Sequence, residues 1–110
     1  MHTDLDHIRK RLKALRADIG KRDSAARGDL RPIALDQQAV GRLSRIDSLQ
    51  MQAMDKAQAA RRRVDLRRID AALMRMDAGA YGYCVECGEA IAVKRLQLDP
   101  ATPRCAGCAR

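Results

Sequence analysis

Four cysteines stand in two pairs near the carboxyl end, Cys84-Val85-Glu86-Cys87-Gly88 and Cys105-Ala106-Gly107-Cys108, with seventeen residues (88–104) between the pairs. Two residues between cysteines is the spacing at which a tight turn aims both thiolates at one point. Two such turns supply four sulfurs, the complete tetrahedral set of one Zn²⁺. A closed set leaves no position for water, so the chemistry expected is structural rather than catalytic. Gly88 follows Cys87 where the turn calls for positive φ, and backbone N–H groups in such turns donate to sulfur. Two disulfides, a dithiol redox pair or a rubredoxin-like iron site would use the same residues. Zinc is preferred because nothing in Met1 to Lys10 resembles a signal peptide, and in a reducing cytoplasm paired C-x-x-C motifs hold metal.

The elements that must position these cysteines follow from composition. Among 110 residues there are two Tyr and no Phe or Trp, while 33% are charged. Such a chain builds long helices joined along a narrow apolar seam more readily than a globular core. The fold class expected is mostly α: a long antiparallel helical hairpin, or coiled coil, over residues 1–77, then a small four-cysteine zinc finger over 78–110. A module as small as the finger would not fold without its ion, which supplies on the order of 10 kcal/mol.

Leu5, Ile8, Leu12, Leu15 and Ile19 recur at steps of three and four, which predicts a first helix over 3–26. Gly28, Asp29 and Pro32 break the period, so 27–35 is expected to be the loop at the hairpin tip. Asp36 then stands as an N-cap, with Leu35 and Val40 spaced as a hydrophobic staple, and a second helix is expected over 36–77. At 1.5 Å per residue the two helices would be about 36 Å and about 60 Å long. Folding about the loop centre would set residue i opposite residue 63 − i. In the second helix Leu43, Ile46, Gln50, Ala53, Ala57, Ala60 and Val64 hold one frame and Leu66, Ile69, Leu73 and Met76 another. The first is read as the hairpin seam and the second, turned by about 100°, as the face that docks the finger. Met51, Met54, Met74 and Met76 are read as seam filler. Gly20 and Gly41 suggest close helix approach or flexibility near the tip. Ala90 to Val93 is read as one strand of a small hairpin.

The run from Gly79 to Cys108 closely resembles the zinc-finger signature of the DksA/TraR family of bacterial transcription regulators. The likeness is carried by Tyr81-Gly82-Tyr83-Cys84, Cys87-Gly88, Ile91, Arg95-Leu96, Pro100, Cys105 and Cys108. The helical hairpin before the finger is similar to that family too. The resemblance implies a non-enzymatic regulator that binds RNA polymerase, with the hairpin tip entering the secondary channel and tip carboxylates acting near the catalytic Mg²⁺. Asp29 and Asp36 are the tip candidates by that resemblance. The family's D-x-x-D-x-A tip pattern is absent, and the helix that larger members carry after the last cysteine is not expected here.

The formal charge of +8, with Arg61, Arg62, Arg63, Arg67 and Arg68 crowded in the second helix, favours acidic partners. These residues and Arg95 are candidate basic contacts, to nucleic acid or to an acidic rim of a protein. The lack of aromatic residues counts against recognition of single strands by stacking. Two further readings stand beside polymerase binding: a nucleic-acid-binding zinc protein acting through the arginine cluster, and a thiol-based redox switch that releases zinc on oxidation. His2 and His7 lack a matching ligand set. No apolar run approaches a membrane span. The chain is expected to act as a cytoplasmic monomer.

Overall fold

The computed structural model describes residues 2–29 and 42–109, with side chains described for 4–26 and 45–109. Among the described residues there are three helices: α1 (His2–Asp29), α2 (Arg42–Asp77) and α3 (Val93–Leu98). No strand occurs among the described residues, and one antiparallel bridge joins Tyr83 to Ala90. The fold is mostly α, a pair of long helices followed by a four-cysteine finger.

The first helix runs to Asp29, so Arg27, Gly28 and Asp29 belong to it and not to a loop. One glycine costs a helix only about 1 kcal/mol, and the first proline comes at Pro32. No atom other than those of its own helix lies within 4 Å of where a Cβ on Gly20 would stand, so that glycine is not there for close packing. Gly41 and the expected N-cap Asp36 lie outside the described residues.

Two compact units divide the chain, one of Met1–Ala17 with Asp65–Arg110 and one of Asp18–Val64. In the first, Arg9 pairs with Asp77 at 3.0 Å and Arg16 with Asp70 at 3.2 Å. In the second, Arg62 pairs with Asp23 at 3.1 Å. The antiparallel pairing is as expected, but its register is not. Position numbers in these pairs sum to 86, 86 and 85 rather than 63. The expectation failed because it placed the fold-back at the first break in apolar period, whereas α1 runs through Gly28.

The seam differs as well. Along residues 45–64 of α2 the covered positions are Ser48, Gln52, Asp55, Ala59 and Arg62, at steps of four and three. Leu66, Ile69, Leu73 and Met76 carry the same spacing onward, and beside them Asp65, Arg68, Ala72 and Arg75 are covered as well, so after Val64 the covered face widens rather than turns. Of the residues read as the hairpin seam, Leu43 has its side chain outside the described residues and the other six are exposed, Ile46 at 56% and Val64 at 44%. Met51, Met54 and Met74 are exposed too, and only Met76 is partly covered. The actual seam of this unit is mostly polar, with the Arg62–Asp23 pair only 17% and 18% exposed. An apolar pattern search cannot see a seam in which serine, glutamine and charge outnumber a single alanine.

The buried residues among those described lie in the first unit: Leu12, Ile69, Ala72, Cys84, Ile91, Pro100, Ala101 and Thr102. Leu12 of the predicted α1 stripe is the largest fully buried side chain. Gly79 ends α2 with φ 74°, where Ala80 N–H donates to Arg75 C=O at 2.8 Å and Gly79 N–H to Met76 C=O at 3.2 Å. This is a Schellman cap, which closes the last carbonyls and turns the chain into the finger.

Candidate metal centre

The first cysteine turn grows from a short two-chain ladder. Cys84 N–H donates to Glu89 C=O and Ile91 N–H to Gly82 C=O, both at 2.8 Å. Between them Gly88, at φ 76°, folds back so that its N–H reaches Cys84 C=O at 3.0 Å. The second turn repeats the device, with Cys108 and Ala109 N–H groups on Cys105 C=O at 3.1 and 3.0 Å. Val85 N–H to Pro103 C=O at 2.9 Å holds the two turns side by side, and Arg104 pairs with Glu86 across them at 3.1 Å.

The four Sγ atoms of Cys84, Cys87, Cys105 and Cys108 lie within 4.8 Å of one another. Cys87 Sγ and Cys105 Sγ are 3.7 Å apart, close to the edge of about 3.8 Å of a tetrahedron whose Zn–S bonds are about 2.3 Å. All four cysteines are free thiols, which removes the disulfide reading. Cys84 is buried while Cys87 is exposed, so the cage opens on one side only.

The thiols do not ionise alike. Backbone N–H groups of Cys87 and Cys105 directed at sulfur lower the Cys84 thiol to about 6. Contact with the sulfurs of Cys105, Cys84 and Cys87 pushes Cys108 up to about 12. Four sulfurs this close cannot all carry charge unaided, and a dication removes that conflict. When bound, the ion supplies a fixed charge and four-coordinate closure; the chain supplies the N–H groups and the turns.

The link between the turns holds what sequence reasoning missed. Of the strand expected over Ala90 to Val93, Ala90 makes only the single bridge to Tyr83, and Val93 opens helix α3, which runs to Leu98. Six residues are too few for a periodic signal; the available cue was Lys94-Arg95-Leu96 ahead of Asp99-Pro100, helix formers before a stop. Asp99 at its carboxyl end pairs with Arg68 of α2, and Arg11 of α1 donates to Gln97 C=O at 2.6 Å. Tyr81 O–H donates to Pro100 C=O at 2.8 Å, and partial burial holds that phenol above its ordinary pKa.

The arginine cluster is divided in its duties. Arg62 is held by Asp23, Arg68 by Asp65 and Asp99, and Arg95 donates to Arg104 C=O at 2.9 Å. Arg61, Arg63 and Arg67 are exposed, with no ion pair to another described residue. Of the tip candidates, Asp36 lies outside the described residues, and Asp29 closes α1 with its side chain outside them. Asp47, passed over in the sequence, is exposed in α2 five residues from Arg42. No helix among the described residues is long and apolar enough to cross a membrane.

Residues 79–110 match the family model of the prokaryotic dksA/traR C4-type zinc finger. The RNA polymerase-binding transcription factor DksA of Haemophilus influenzae is 38% identical over 48 residues, 44% of this chain and 33% of that protein. The protein of the same description from Caulobacter vibrioides is 48% identical over 40 residues, 36% of this chain and 28% of that one. These alignments thus span no more than a third of the curated relatives. A solved structure, transcription factor DksA2 from Pseudomonas aeruginosa, is similar over 94% of this chain and 78% of its own, with a TM-score of 0.76 and 30% identity. The four cysteines are placed for the one zinc ion of such a finger. With the finger matched by its own model and the likeness running through both long helices, the chain belongs to the DksA/TraR family.

Proposed function

We propose that the protein is a non-enzymatic transcription regulator that binds bacterial RNA polymerase, acting in the cytoplasm. Cys84, Cys87, Cys105 and Cys108 ligate its structural zinc in this reading. The observation that carries it is the likeness to a transcription factor over 94% of the chain, helices included. A shared finger alone would support only a shared zinc module.

The finer reading is that the hairpin tip enters the secondary channel of the polymerase. Asp47 stands exposed five residues into α2, which begins at Arg42. Asp47 joins Asp29 and Asp36 as a candidate tip carboxylate in this reading. Such a group would act by perturbing metal or substrate in the partner's site, not by chemistry of its own.

The test is capture of bacterial core polymerase by the full chain, followed by in vitro transcription with Asp29→Asn, Asp36→Asn and Asp47→Asn. Failure of the intact protein to bind polymerase would sink the reading. Binding retained with effect lost in Asp47→Asn alone places the working carboxylate; loss confined to Asp29→Asn or Asp36→Asn moves it back toward α1. A second reading, duplex binding through Arg61, Arg63 and Arg67, draws on their freedom from ion pairs with other described residues. Steep salt dependence of duplex affinity, lost on Arg63→Ala and Arg67→Ala, would favour it.

A further inference from the structure

The segment Gln97–Thr102 lies between α3 and the second cysteine turn, and three groups from outside the cysteine cage hold it. Arg11 of α1 donates to Gln97 C=O, Arg68 of α2 pairs with the Asp99 carboxylate, and Tyr81 O–H caps Pro100 C=O. Asp99 also organises the segment itself. Its Oδ1 accepts from Ala101 N–H at 3.3 Å and its C=O from Thr102 N–H at 3.1 Å. Pro100, Ala101 and Thr102 are buried. Next in the chain are Pro103, whose C=O receives the Val85 N–H inside the first turn, and Cys105. Arg68 is thus linked through one carboxylate and a buried tripeptide to both cysteine turns.

From this path we propose that Arg68 and Asp99 are positioning residues for zinc, coupling the metal site to the α1–α2 base of the first unit. Neither is a ligand. With zinc bound, the two turns fix both ends of the link 88–104, and Asp99 is presented to Arg68 already in place. Without zinc the ends are free, and holding Asp99 against Arg68 requires ordering the whole link. The coupling is reciprocal: whatever zinc contributes to the clamp, the clamp returns to zinc affinity. Arg11, which also reaches the segment, carries the same coupling to α1, so metal occupancy is felt at residues 2–17. The inference does not depend on the partner being polymerase.

The experiment measures zinc affinity of the full chain by competition with a chromophoric chelator, for wild type, Arg68→Gln, Asp99→Asn, the double variant and the charge swap Arg68→Asp/Asp99→Arg. Helix content by circular dichroism, read with zinc bound, confirms that each variant is folded. Each single change is expected to weaken zinc about tenfold, within the range of ordinary coupling factors. The double variant should be no weaker than either single one, and the swap should recover part of the loss. In parallel, amide exchange at residues 2–17 is compared with and without zinc. Chelation should speed it in wild type and have less effect in the double variant. Zinc affinity unchanged in both single variants would overturn the proposal. So would losses that add in the double variant, or exchange at 2–17 that ignores chelation.

Discussion

Cys84 is the sulfur most committed to its place. It is buried, nearby backbone groups of Cys87 and Cys105 hold its thiol below the ordinary range, and its own N–H and C=O are both tied into the first turn. Cys84→Ser is expected to drop bound zinc from one per chain toward none, measured by metal analysis after desalting, with loss of ordered structure in residues 79–109. Retention of stoichiometric zinc would argue that three sulfurs suffice. Leu12 makes a different kind of claim, that of packing. Fully buried, in the same unit as the buried Ile69 and Ala72, it should cost about 3 kcal/mol on Leu12→Ala, with urea unfolding as the readout. Both residues were legible in the sequence, Cys84 from its spacing and Leu12 from its place in an apolar stripe. Asp99 and Arg11 were not, because nothing local marks a side chain whose partner is 31 or 86 positions away.

At the scale of elements, the two long helices were legible and their mutual register was not. Period identifies a helix from its own residues, whereas register is a relation between two, and here charge decides it. Arg9, Arg16 and Asp23 stand seven residues apart on α1, and Asp77, Asp70 and Arg62 answer them on α2. The pairs made by Arg9 and Arg16 are exposed and each contributes about 0.2–1 kcal/mol. The Asp23–Arg62 pair is mostly covered and can be tested alone. Asp23→Lys is expected to destabilise by about 1–2 kcal/mol, and adding Arg62→Glu should restore most of that. Independent, additive losses in this cycle, read by thermal unfolding, would mean that the two residues do not face one another. Ala53, Ala57 and Ala60 misled because small apolar residues favour helix wherever they lie, and these three face outward while Ala59 is the one in the covered row. The short α3 was invisible for the opposite reason, being formed by its tertiary setting more than by its own propensity.

For the molecule as a whole, the buried residues fall in one unit, so loss of metal should be felt unequally. Chelation at neutral pH is expected to raise amide exchange in residues 65–109 and 2–17, while residues 45–64, which contribute no buried side chain, change little. Mass spectrometry of peptides from each region would show it, and a uniform rise along the chain would contradict it. The Schellman cap at Gly79 carries a last consequence, for the lengths this chain can tolerate. Between Ile69 and the cap, α2 must present Asp70 and Asp77 to α1, bury Ala72, and release the chain toward Cys84 in one rotational phase. One added residue anywhere in that stretch would turn everything after it by about 100°. Substitutions there can be absorbed one at a time, but a single inserted alanine at Ala71 should cost the protein its zinc, although it touches no cysteine.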